Sequence, residues 1–143
     1  MSPTRILAGA AAYLAVSFPL AFVWHLVAFR SIYDQLGYFG DREPVVALGF
    51  LSIAAQGLIL SALYPRFYRG GHPAREGLRF GLIAGLFLWT SHVVATAAKH
   101  IAHSLPAWFA IESVYLALQF ALVGVAIGLA HGRVGAGACP TTT

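Results

Sequence analysis

Glu112, His25 and His92 are the residues of this chain best able to do chemistry, and each lies inside an apolar stretch. A carboxylate at the middle of a membrane helix costs about 2.5–3.5 kcal/mol, and less toward the interface, so its presence marks a site by default. A carboxylate with imidazoles can hold or pass a proton, or bind a small ligand or ion. Two histidines and a carboxylate can also take a divalent metal, and His25 with His92 could clamp a haem axially.

Neutral polar residues extend the pattern. Glu112, Tyr115 and Gln119 recur at helical spacing on one face; Gly49, Ser52 and Gln56 share a second, and His92, Thr96 and His100 a third. Such faces avoid lipid, so they are expected to converge on an interior polar pocket with His25, His92, Glu112, Tyr115, Gln56 and Gln119 as its ligand-binding set. No hydrolase arrangement accompanies them. Ser91 and His92 are sequence neighbours that point to different faces, and the Gly77/Gly81/Gly85 row lacks the GKS/T of a phosphate loop. The reading therefore leans away from an enzyme, and no catalytic residue is assigned.

The elements that must hold these residues are membrane spans. The chain is 59% hydrophobic and 10% charged, against about 45–50% and 25% for an ordinary soluble domain. Its mean hydropathy is +0.74. The net charge of +4 is no sign of a nucleic-acid partner, because four of the nine basic residues fall together between Arg66 and Arg79. Such a cluster reads as topology.

Four segments, 6–29, 44–64, 78–98 and 106–130, have the roughly 20 mostly apolar residues needed to cross a bilayer. The first is too long for the apolar core of a signal peptide and reads as a retained span. Pro44 and Pro106 are placed at first-turn positions. Short connections imply antiparallel neighbours, so the expected fold is all-α, a single four-helix membrane bundle over residues 1–131 in the cell inner membrane. Arg5, the Arg66–Arg79 segment and Arg133 set the orientation as N-in and C-in. Residues 132–143, including the lone Cys139, read as a disordered cytoplasmic tail.

Counting residues gives depth. At about 1.5 Å per residue, His25, His92 and Glu112 lie roughly 6, 10 and 9 Å inside the outer ends of their helices, a common level, with Gln56 and Gln119 near mid-bilayer. Trp24, Tyr33 and Tyr38 read as interfacial anchors, Trp89 as a core residue, and His131 as part of the cytoplasmic edge. Helices one and three also share a Trp–His–Val–Ala character, each followed by a proline and then a glutamine-bearing helix, a faint sign of duplicated hairpins.

Two glycine rows lie on the last two spans. Gly77, Gly81 and Gly85 invite a close helix neighbour, while Gly124, Gly128 and Gly132 are expected to meet an adjacent helix or another protomer, giving a homodimer or a membrane-complex partner. With the EGLRFGLIAGLFLW stretch and the IESVYLALQF run from Ile111 to Phe120, this layout resembles small four-helix bacterial inner-membrane proteins of unknown function over about residues 5–131. The resemblance implies topology and no activity. The expected function is a membrane protein with an outward-opening polar pocket for a small ligand or ion, related to transport. A scaffold subunit and a haem- or metal-binding protein are the alternatives.

Overall fold

The chain breaks into helices where its prolines and glycines allow, and among the described residues there is no strand. The computed structural model describes residues 2–40, 43–99 and 103–132. Helix α1 (Pro3–Phe22) starts with a proline in its first turn and runs into a π-helical stretch, Val23–Ala28. A short helix, α2 (Arg30–Gln35), follows, and then α3 (Val46–Phe67). Helix α4 (Pro73–Trp89) passes through a second π-helical stretch, Thr90–Val94, into α5 (Ala95–Lys99). Helix α6 (Leu105–His131) is capped by the Ser104 side chain, which accepts from the Ala107 N–H, and stops at Gly132 with φ 62°.

Four stretches are long and apolar enough to cross a membrane: Pro3–Ala28, Val46–Phe67, Pro73–Lys99 and Leu105–His131. They correspond to the four expected spans with shifted ends. Pro44 precedes α3 rather than opening it, while Pro65 lies in its last turn, where one lost backbone bond is tolerated. The third span starts earlier than expected, at Pro73, because proline suits a first turn. The first connection is not a plain loop, since it contains α2. His100, Arg133, Cys139 and the rest of the expected tail, 133–143, lie outside the described residues.

Packing follows the small residues. Helix α6 packs along both α4 and α1, and α1 also along α3, while α3 meets α4 and α6 at few points. The α4–α6 contact is a reciprocal glycine seam. A Cβ built on Gly81 would fall 2.8 Å from Gly124 Cα, and one built on Gly124 would fall 2.8 Å from Gly81 Cα; Gly77 and Gly128 are related in the same way at 2.9 Å. Backbones approach this closely only where both sides lack a Cβ. The glycine row of the last span is thus engaged inside the chain by the row of the third, and a second copy could reach Gly124 and Gly128 only by displacing α4. Gly132 lies beyond the helix, and a Cβ built there would meet nothing within 4 Å.

We call the end that carries α2 the upper end. At the lower end, Tyr64 and Phe67 of α3 touch Phe80 of α4, with ring centroids 5.5 and 5.3 Å apart. Toward the upper end α3 and α4 no longer meet, and a cavity separates them.

Candidate functional site

The upper end is built around Glu112, the largest departure from an apolar interior. Its side chain is fully buried on α6, with 0% exposure. Three groups from three other parts of the chain converge on its two oxygens. The Tyr33 hydroxyl donates to Oε1 in a short hydrogen bond. His92 Nε2 lies 2.9 Å from Oε2, and His25 Nε2 lies 3.4 Å from Oε1. The common depth counted from the sequence is thus a real meeting of side chains.

Local structure explains how they meet. Both histidines sit on the π-helical stretches, where a wider turn rotates the following side chains relative to an α-helix. The second stretch is braced by Trp108, whose Nε1–H donates to the Val93 carbonyl at 3.1 Å. Tyr33 arrives on α2, which is tied down from the other side of the chain: the His103 Nδ1–H donates to the Gln35 carbonyl at 2.7 Å, and the His103 backbone N–H reaches Leu36 O at 3.4 Å. At the exposed surface Arg30 pairs with Asp34 and Glu43 rather than with Glu112.

The proton positions follow from what each partner can do. Ala21 O can only accept, so the His25 Nδ1 at 3.0 Å carries a hydrogen. Trp24 Nε1 can only donate, so Tyr33 accepts from it at 3.1 Å and gives its own proton to Glu112. With Nδ1 protonated, His25 Nε2 can hydrogen-bond to Glu112 only where one proton lies between them, on the imidazole or on the carboxyl. Both descriptions contain the same number of protons. The cluster therefore shares one proton between Glu112 and His25, while His92 donates from Nε2. The His25 ring is flanked by Tyr33 and Tyr115 with centroids 4.7 and 4.5 Å away.

Two tyrosines outside the spans, Tyr33 and Tyr38, are held neutral. Burial, and then the Glu112 charge, holds the Tyr33 phenol far above its ordinary value. The same two causes push Tyr38 up to about 12.

A cavity of about 450 Å³ lies beside this cluster. Its volume falls in the range of small-molecule sites, about 300–1,000 Å³. His25, His92, Tyr115, Gln56 and Gln119 line it, as do Gly49, Ser52 and Thr96. Glu112 does not; it sits behind the histidines. His92 is the more open of the two, with 36% of its side chain exposed against 15% for His25. Gln56 and Gln119 do not reach Glu112. Gln56 accepts from Tyr13 at 2.8 Å, and Gln119 donates to Ser17 at 3.2 Å.

Among the described residues no group of three or more His, Cys, Asp or Glu side chains could hold a metal ion. Both Nε2 atoms are directed at the one carboxylate of Glu112.

Several roles went unrecognised in the sequence. Tyr33 and Trp24, expected as interfacial anchors, are parts of the cluster: Tyr33 is fully buried and Trp24 bonds to it. Trp89, expected in the core, is partly buried and donates to Ser113 at 2.9 Å. His131, the last residue of α6, is 2% exposed. Its Nε2 lies 2.9 Å from Ser61 Oγ, which in turn donates to Ile6 O at 2.7 Å. With the Ser61 proton directed at a carbonyl and His131 donating, this pair lacks the proton direction of a nucleophile and base.

Comparison with protein families, with characterised proteins and with solved structures gives no match to this chain.

Proposed function

We propose that this chain is a four-helix inner-membrane bundle with antiparallel neighbours, N-in and C-in, whose outward-facing upper end binds a small ligand in the cavity beside Glu112. The orientation rests on charge: Arg5, Arg66, Arg69, Arg75 and Arg79 gather at the lower end, while Asp34 and Glu43 lie at the upper end. One observation carries the ligand reading. A fully buried carboxylate is held at the wall of a cavity by donors of which two, His25 and His92, also face that cavity. Lipid-embedded helices can be held together without an ionisable cluster, so its presence beside open space points to use.

A scaffold subunit is the second reading. Among the described residues every buried side-chain polar atom has a hydrogen-bond partner, as a purely structural network would. Gly49→Phe separates the two. Gly49 lines the cavity and a Cβ there meets nothing within 4 Å, so a phenyl ring can be placed at the cavity wall without disturbing the helices. In nanodiscs, with empty discs subtracted, the neutral fluorophore N-phenyl-1-naphthylamine should bind the native protein and not Gly49→Phe, with melting unchanged. Equal binding, or none, to both proteins would leave the scaffold reading standing.

A further inference from the structure

We propose that the cavity takes a weak acid with an apolar body, a single-chain carboxylic acid being the simplest, which enters sideways from the lipid and gives its proton to His92. The inference rests on the cavity being a ligand site and names the ligand's chemistry.

The lining settles the charge. Among the described residues no Asp, Glu, Lys or Arg lines the cavity; its titratable groups are His25, His92, Tyr38 and Tyr115. Glu112 lies behind them and is balanced by the proton it shares with His25, so the wall presents no net negative charge to attract a cation. His25 has both ring nitrogens engaged, one by Ala21 O and one by Glu112. His92 engages only Nε2 with Glu112, leaving Nδ1 on the more exposed ring free to receive a further proton. The groups facing His92 are Glu112 and Tyr115 on α6, His25 at the end of α1, Tyr33 on α2 and Tyr38 after it; Lys99, further along its own span, is exposed. A proton gained here adds one positive charge to a neutral cluster, and the counter-charge that suits it is an anion.

A weak acid supplies both. It dissolves in lipid as the neutral molecule, its O–H bond breaks, an N–H bond forms on His92 Nδ1, and the carboxylate stays paired with the imidazolium. Nothing else is consumed.

The shape of the molecule bears on the route and the body. Helices α3 and α4 are joined by Tyr64, Phe67 and Phe80 at the lower end, and above these contacts α3 and the His92 stretch both line the cavity; an entry between them is the route that the proposal requires. The lining also includes Phe18, Phe22, Leu26, Ile53, Leu88 and Phe120, which suit an alkyl or aryl body and no charge.

The test uses the full chain in nanodiscs and three probes that differ only in the head: decanoic acid, decan-1-ol and decylamine. Calorimetric titration at about pH 8, in two buffers of different ionisation enthalpy, gives affinity and proton uptake. Decanoate should bind about tenfold or more tighter than decanol, with decylamine weakest, and each decanoate should take up roughly one proton. His92→Gln should bring decanoate to the affinity of decanol and abolish the uptake, while decanol binding, unchanged, reports an intact cavity. Decylamine or decanol binding the native protein as tightly as decanoate overturns the inference, as does uptake that persists in His92→Gln. The native head-group series decides the matter even where the variant misfolds. Binding of all three probes without preference, blocked by Gly49→Phe, refutes the acid alone; binding of none removes the ligand reading beneath it.

Discussion

Replacing Glu112 by Gln and by Ala separates the charge of the cluster from its shape. In Glu112→Ala three donors lose their acceptor. His92 can turn to water in the cavity, but Tyr33 is fully buried and still accepts from Trp24, so its hydroxyl has nowhere to donate. Removing one partner of a buried charged pair costs about 3–5 kcal/mol. In Glu112→Gln the amide oxygen still accepts from Tyr33, and the amide N–H can donate to His92 Nε2 once that ring moves its proton to Nδ1. Only the His25 contact is lost, and at 3.4 Å it is long. Its loss is set near the low end of a charge-assisted bond, about 1.5 kcal/mol. The two variants should therefore differ by about 2–3 kcal/mol in unfolding free energy, measured by SDS titration or steric trapping. The ¹⁵N spectrum of the histidine side chains adds a direct reading: His25 should carry hydrogen on both ring nitrogens in the native protein and on Nδ1 alone in Glu112→Gln. Equal costs for Gln and Ala, or a neutral His25 in the native protein with its proton absent from Glu112, would refute the shared-proton description.

Three further outcomes follow from the same geometry. Gly124→Val places a Cβ 2.8 Å from Gly81 Cα and should lose stability toward the upper end of the roughly 1–3 kcal/mol range of overpacking, whereas Gly49→Val, with nothing within 4 Å, should cost nothing in the same unfolding measurement. Because the Tyr38 phenol is pushed up to about 12, its neutral form is favoured by folding. That stability is whole below the ordinary phenol value near 10 and fades as pH rises through about 12, so Tyr38→Phe should leave phenolate absorbance between about pH 9 and 11 unchanged. For topology, a cysteine at Asp34 in a Cys139→Ser background should react with an impermeant thiol reagent from outside intact cells; labelling that needs permeabilisation reverses the orientation.

The parts of this arrangement that obey a period were legible in the sequence. Span lengths, the two glycine rows and the common level of His25, His92 and Glu112 all follow from a rise of about 1.5 Å per residue and a repeat of 3.6. What departs from the period was hidden. The π-helical stretches at Val23–Ala28 and Thr90–Val94 rotate both histidines by a local change of register that has no residue signature. Tyr33 lies in a connection, where an aromatic residue after a span reads as an interfacial anchor, and only the Arg30–Asp34 spacing hinted at the turn of helix that carries it inward. The glycine rows showed that close packing would occur but not between whom. Each row needs a partner without side chains, and two such rows on consecutive spans can satisfy one another, as Gly77 and Gly81 do with Gly124 and Gly128.

The same seam explains why the cavity lies where it does. Helices α4 and α6 close backbone to backbone through glycine, and α1 meets α3 through Gly57, where an added Cβ would lie 3.1 Å from Ala10 O. Above these contacts the facing residues become large: Trp24, His25, Tyr33, His92 and Tyr115 cannot be packed at glycine spacing. Helices pinned tightly below must separate above. α2 closes the top of the gap by bringing Tyr33 onto Glu112, whereas among the described residues α3 and the His92 stretch make little contact. Glu112 is thus sealed from above and open to the cavity only through two imidazoles. Anything that enters the cavity meets the carboxylate through His92 or His25, so a ligand that changes the state of Glu112 must do so by giving a proton to an imidazole or taking one from it.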